Sequence, residues 1–258
     1  MKIAPIAPTE LLGEYTTDYS LCLAHILRND SRQMVYYKER SSRMDDYTIL
    51  DNGAYELGRS VPFEHVLEVA KEIEPDEIVL PDVFLNAKET ATEALIGYRL
   101  FLEEIEWAAD INVMVAPQGQ NLTEWLQCLD ALVGTIHPDV IGIPIVYESM
   151  MGRGVLIKEV MRYVGGDLYY QPEIHLLGWD GDLYKLSCYA RDFPLWIRGI
   201  DSAKPFYYSM AYNPILLNQG SSRSRPDDYF DLLPEMLDQK VLAENISLFY
   251  SAAEGALA

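Results

Sequence analysis

Cysteine is scarce in this chain: Cys22, Cys128 and Cys188 are the only three in 258 residues, and no two stand at a Cys-x-x-Cys spacing. That excludes a disulfide framework and a zinc ribbon, and it leaves reduced, mostly buried thiols as the expectation. Histidine is almost as rare. His25, His65, His137 and His175 never fall at a His-x-x-x-His spacing, so no metal site is indicated and no cofactor is expected. Long apolar runs are missing as well, since charge, proline or glycine cuts every one well short of the ~18 residues that mark a membrane span. Residues Met1 to Glu10 hold two prolines, Pro5 and Pro8, and no apolar segment like that of a secretory signal. The expected location is the cytoplasm, away from membranes.

Positive charge is the other shortage. Lysine and arginine number 20 against 40 aspartates and glutamates, a formal net charge of −20. That balance disfavours a large nucleic-acid surface, because phosphate binding is driven by cations that displace counterions. The few cations are grouped, however. Arg28, Arg32, Lys38, Arg40 and Arg43 lie in one stretch and Arg223 and Arg225 near the other end, whereas residues 64–110 are heavily acidic. A basic rim on an acidic body is the expectation, and these residues are the candidates for any phosphate contact.

What is plentiful is hydrophobic side chain, 49% of the residues, enough to bury a substantial core. The length suits one domain, and α/β barrels commonly use about 250 residues as a single domain. Residues 1–258 are therefore read as one domain, with residues 206–258 as a C-terminal loop and closing helices.

Along the chain, apolar runs end abruptly in polar residues. Tyr47 to Leu50 runs into Asp51-Asn52-Gly53, Glu77 to Leu80 into Pro81-Asp82, Ile111 to Ala116 into Pro117-Gln118-Gly119, and Leu195 to Ile200 into Asp201. Val140 to Pro144 and Glu173 to Leu177 are further buried runs, Lys2 to Ile6 is a weak first strand, and Tyr19 to Leu27 is apolar enough for a strand or a helix. Between them lie helical patterns. Val66, Leu67, Val69, Ala70 and Ile73 mark one helix, stopped by Pro75. Leu95, Tyr98, Leu102 and Ile105 mark a longer one from Lys88 to Ala109, and Asn121 or Thr123 caps a third. Two more are expected at Gly154 to Val164 and Leu183 to Ala190, and a closing helix at Asp227 to Leu237. The later strand ends recur at roughly 25 to 35 residues, the length of a βα unit. A (β/α)8 TIM barrel is the fold predicted, with an open doubly wound sheet as the rival, and a barrel brings strand tips to the face where such enzymes keep their chemistry.

Taken singly, each of these residues has an ordinary explanation. Asp51 and Asp201 suit helix N-caps, Asp82 a turn after Pro81, Gln118 a polar loop, Gly142 close packing, and Tyr55 and Leu177 the core. Their placement at successive strand tips is what singles them out.

The ordered set Asp51-Asn52-Gly53-Ala54-Tyr55, Pro81-Asp82, Ala116-Pro117-Gln118-Gly119, Ile141-Gly142-Ile143-Pro144, His175-Leu176-Leu177-Gly178 and Arg198-Gly199-Ile200-Asp201 resembles the motif series of the tRNA-guanine transglycosylase superfamily. The short form is most similar to the phage and bacterial branch that inserts 7-deazaguanine bases into DNA. The resemblance implies that Asp201 is the nucleophile at C1′ of the target guanosine and that Asp51 is the general acid/base. It implies further that Asp82 accepts hydrogen bonds from the guanine N1–H and 2-amino group, and that Gln118 and the Gly142 N–H face O6. Tyr55 and Leu177 would sandwich the ring, with Asn52 bracing the pocket. The partners implied are DNA, with tRNA as the alternative, a 7-deazaguanine such as preQ0, and a protein partner to supply basic surface. The location implied is the host cytoplasm if the chain is phage-encoded.

The chain also departs from the family pattern. Nothing in residues 206–258 matches the family's cysteine- and histidine-ligated zinc subdomain, Ala54 stands for a second glycine, Glu56 for a glutamine, and Leu177 for a methionine. Three other readings remain beside the leading one: a tRNA-acting enzyme, a catalytically silent base-binding subunit, and a two-acid carbohydrate hydrolase with Trp179 as its sugar platform.

Overall fold

The structure, a computed structural model, describes residues 1–15, 17–165, 170–179, 181–210, 226 and 228–257, apart from the side chains of residues 105 and 106. Arg223 and Arg225 lie outside the described residues. Among the described residues eight strands alternate with helices: β1 Lys2–Pro5, β2 Tyr19–Leu23, β3 Tyr47–Asp51, β4 Glu77–Val79, β5 Asn112–Val115, β6 Val140–Pro144, β7 Glu173–Leu177 and β8 Ile197–Ser202. They form one parallel sheet in the order β1-β8-β7-β6-β5-β4-β3-β2, which is the order of a (β/α)8 barrel. By contacts the chain divides into two compact units, residues 21–174 and the pair of segments 1–20 and 175–258.

In the unit of residues 21–174, β3 to β6 pair in sequence, with Leu50 opposite Ile78, Ile78 opposite Val113, and Val115 opposite Ile141. Their residues are buried almost throughout, as strands covered by helices must be. The helix Phe63–Ile73 buries Val66, Leu67, Val69, Ala70 and Ile73, leaves Glu68, Lys71 and Glu72 in solvent, and ends with Glu74 in the left-handed region before Pro75. Asn121 caps Leu122–Ile136 by accepting from the Glu124 N–H at 3.1 Å.

The helix Ala87–Glu103 differs from expectation in its inner face, which is Thr90, Ala94, Gly97 and Phe101, while Leu102 is exposed. The reason is closeness: a Cβ on Gly97 would stand 2.6 Å from the Pro81 ring, so only small residues let this helix lie against the loop after β4. The helix also stops at Glu104, and a short turn of helix, Ile105–Ala108, follows it. The apolar run after Tyr19 is a strand that passes directly into a one-turn helix, Ala24–Leu27.

In the other unit, β1 pairs with β8, Ile3 opposite Ile200 and Ala4 opposite Asp201. The closing helix expected at Asp227 to Leu237 is not there. Tyr229–Asp231 and Pro234–Met236 are single 3-10 turns, because Pro234 interrupts the stretch, and the long helix is Gln239–Ala253. Asp238 caps that helix, accepting from both Lys240 N and Val241 N at 3.0 Å.

Candidate active site

At the tip of β3 the chain turns sharply. Asp51 Oδ1 accepts from Gly53 N at 2.7 Å, and Asn52 Oδ1 from Ala54 N at 2.8 Å. Gly53 has φ +77°, and a Cβ there would sit 2.4 Å from His25 Nδ1, so glycine is required twice over. His25 thus packs under the turn. Asp51 is half-buried, and Cys22 lies within reach of its charge; burial first and then Asp51 raise that thiol well above its ordinary value.

The turn aims Asn52 at the next strand tip. Asn52, 1% exposed, donates through Nδ2 to Leu80 O at 2.7 Å and to Asp82 Oδ1 at 2.8 Å. From the tip of β5, Gln118 Nε2 donates to Asp82 Oδ2 at 2.7 Å. Gln118 is itself fixed, its Oε1 accepting from Tyr147 Oη at 2.9 Å and Leu85 N at 3.1 Å. Tyr147 in turn accepts from Gly119 N at 2.8 Å. Asp82 is therefore a buried carboxylate with one amide on each oxygen and, among the described residues, no cation against it. Burial pushes its pKa up to about 6, against the lowering effect of Asn52 and Gln118. Each oxygen has two acceptor sites, so one remains on each for a ligand. Burial, together with the Asp82 charge, also drives the Cys128 thiol up to about 11, the Gln118 N–H opposing it.

Asn52, Asp82 and Gln118 are thus brought together by direct hydrogen bonds, whereas Gly142 lies buried within β6. Tyr55 is 64% exposed on the one-turn helix Ala54–Leu57 and meets Phe84 edge to face at 6.4 Å. Tyr147, which locks the Gln118 amide, escaped the sequence reading, and a lone tyrosine on a short helix carries no signal that could have found it. A cavity of about 390 Å³ in the same unit lies between Phe63, Pro81, Val83, Ile96 and Leu100. None of the candidate acids lines it.

In the unit holding β8, Asp201 is 6% exposed, and Leu177 is half-buried at the end of β7. Asp201 Oδ1 accepts from Gly178 N at 2.9 Å and lies 3.1 Å from His175 Nε2. Gly178 reaches it with a φ of +74°. The His175 Nδ1 is 2.8 Å from Tyr19 Oη, and Arg198 Nε donates to the same oxygen at 3.0 Å. Asp201 does not cap the following helix, Lys204–Met210, because Lys204 N donates to Ser202 Oγ instead. His175, Tyr19 and Arg198 were not singled out as site residues. All three belong to strands and read in sequence as ordinary core alternation.

The basic stretch is already engaged. Arg28 pairs with Glu68 at 3.8 Å, Arg32 with Asp30 at 3.3 Å, Lys38 with Glu72 at 3.1 Å and Arg43 with Asp46 at 3.8 Å, all four cations being exposed. Arg40 is different. It is 4% exposed and holds Asp46 at 3.3 Å, so as a surface phosphate contact it is corrected to a buried ion pair that ties the helix Ser31–Ser41 to the approach of β3. Trp179 is 3% exposed and packs edge to face on Tyr189, so its ring offers no open face to a sugar.

Among the described residues no group of three or more histidine, cysteine, aspartate or glutamate side chains could hold a metal ion, and no helix is long and apolar enough to cross a membrane. Compared with known protein families the chain matches none, and no curated protein is similar to it in sequence.

Proposed function

We propose that this chain is a guanine transglycosylase that exchanges guanine in DNA for a 7-deazaguanine base, acting in the cytoplasm. The observation that carries the reading is Asp82, a buried carboxylate braced on both oxygens by the Asn52 and Gln118 amides, with one acceptor site left on each. Two parallel acceptors match the N1–H and 2-amino edge of guanine or of a 7-deazaguanine, which offers two parallel donors. Adenine has no such edge.

In the proposed reaction Asp201 attacks C1′ of the target nucleotide. The C1′–N9 bond breaks, guanine takes the electron pair, and Asp51 as general acid supplies the proton to the departing base. The incoming 7-deazaguanine then gives its five-membered-ring N–H proton to Asp51, attacks C1′ through that nitrogen and releases Asp201. A base inside a duplex is out of reach, so the nucleotide is unpaired or flipped beforehand. The buried Trp179 counts against the carbohydrate alternative. Arg28, Arg32, Lys38 and Arg43 are the exposed cations proposed to meet phosphates, and the net charge of −20 leaves room for a protein partner with basic surface.

The test is a denaturing gel of the enzyme with a labelled guanine-containing oligonucleotide, quenched during turnover. A shifted covalent band is expected with the wild type and is absent in Asp201→Asn, while Asp51→Asn loses exchange yet retains a trace of adduct. A band retained in Asp201→Asn, or base exchange by that variant, would remove Asp201 from the role.

A further inference from the structure

We infer that Arg198, Tyr19 and His175 are positioning residues, a one-way hydrogen-bond chain that fixes the proton of a neutral His175 on Nε2 and so holds Asp201 by Oδ1 with Oδ2 turned free to react. The last clause rests on the function proposed above; the rest stands on geometry alone. Arginine can only donate, so the 3.0 Å contact from Arg198 Nε makes Tyr19 Oη an acceptor. The hydroxyl proton is then directed at His175 Nδ1, 2.8 Å away. A ring that accepts at Nδ1 carries its proton at Nε2, and Nε2 lies 3.1 Å from Asp201 Oδ1. From the other end, a carboxylate that accepts from Nε2 requires a proton there, and a neutral ring then leaves Nδ1 to accept from the Tyr19 hydroxyl.

The chain is built to stay in place. Tyr19 is 1% and His175 0% exposed, and the Arg198 guanidinium also lies over the Tyr19 ring, 5.5 Å from its centroid. Gly199 keeps the space open, since a Cβ there would come within 2.6 Å of the Tyr19 ring and 2.8 Å of its hydroxyl. Together Gly178 N and His175 Nε2 fill both acceptor positions of Asp201 Oδ1, and no hydrogen bond from the described residues reaches Oδ2. A nucleophile held at one oxygen attacks with the other.

Two measurements decide it. Long-range ¹H–¹⁵N correlation of the imidazoles in the full chain should show His175 neutral and protonated at Nε2. A proton on Nδ1, in a neutral or a charged ring, would overturn the chain's direction. Tyr19→Phe keeps the ring and removes the hydroxyl. It should give a mixed His175 tautomer and slow single-turnover adduct formation about tenfold or more, with unchanged affinity for the oligonucleotide. An unchanged tautomer, or an unchanged rate with a changed tautomer, sinks the positioning role. If the wild type forms no adduct with any guanine oligonucleotide, the transglycosylase reading falls by itself, and the wild-type tautomer still decides the chain.

Discussion

A buried carboxylate that titrates at about 6 makes the folded state hold a proton that the unfolded chain has already lost, since the ordinary value is 3.8. Asp82 therefore contributes stability that is fully present below about pH 4 and lost as pH rises through about 6. Asp82→Asn deletes that titration. Between pH 4 and 7.5 the wild type should lose on the order of 2 to 3 kcal/mol relative to Asp82→Asn in urea unfolding; parallel pH profiles would show that Asp82 is not the buried, unpaired charge described here. Tyr147→Phe probes the same network from behind. It strands the Gly119 N–H and removes one of the two donors to Gln118 Oε1, so it should cost about 1–3 kcal/mol of stability and weaken guanine binding in calorimetry. The cysteines give a simpler check at this scale. Cys22 and Cys128 are buried with raised thiol pKa values, whereas Cys188 is half-exposed. A thiol reagent should modify Cys188 first, and fast reaction at Cys22 or Cys128 in the folded protein would contradict their burial.

The elements show which parts of the structure could be read from residues alone. Strands β3, β4 and β5 are legible because each is a short apolar run with an abrupt polar end, and those ends bring Asp51, Asn52, Asp82 and Gln118 into view. Helix faces were less so. In Ala87–Glu103 the residues that matter are Ala94 and Gly97, whose value is their small size, and hydrophobic spacing points instead to Leu102 on the solvent side. The last helix starts later than expected because the turn-rich stretch before it holds Tyr229, Leu232 and Leu237, apolar and buried yet in no α-helix. Its real start is Asp238, which satisfies two N–H groups at once. Asp238→Ala should lower stability by about 0.5 to 2 kcal/mol, and an unchanged urea midpoint would mean that the cap is dispensable. The hydrogen-bonding partners behind the acids stayed hidden for another reason: a buried Tyr19 or His175 has the same pattern as a packing residue, and only the atoms it faces set it apart.

At the scale of the molecule, charge governs encounter with any polynucleotide. Exposed Lys38 and Arg43 already neutralise Glu72 and Asp46, so their release to phosphates is a competition rather than a free gain. Oligonucleotide binding should weaken steeply with salt, and the double variant Lys38→Ala, Arg43→Ala should reduce the slope of log K against log salt by about 1 to 2. An unchanged slope would put the polynucleotide on another surface. The same acidic excess makes copies of the chain repel one another at neutral pH.

The pairing of β1 with β8 also sets an order of events in the cell. The ribosome makes Ile3 and Ala4 well before their partners Ile200 and Asp201. At ~5–20 residues per second, the roughly 200 residues between them take about 10 to 40 s to synthesise. Throughout that interval residues 21–174 emerge, while Ile3 and Ala4 lack the β8 partners that they pair with in the folded chain. The nascent chain thus carries an open strand edge until β8 is made, and that edge is where a holding chaperone would bind.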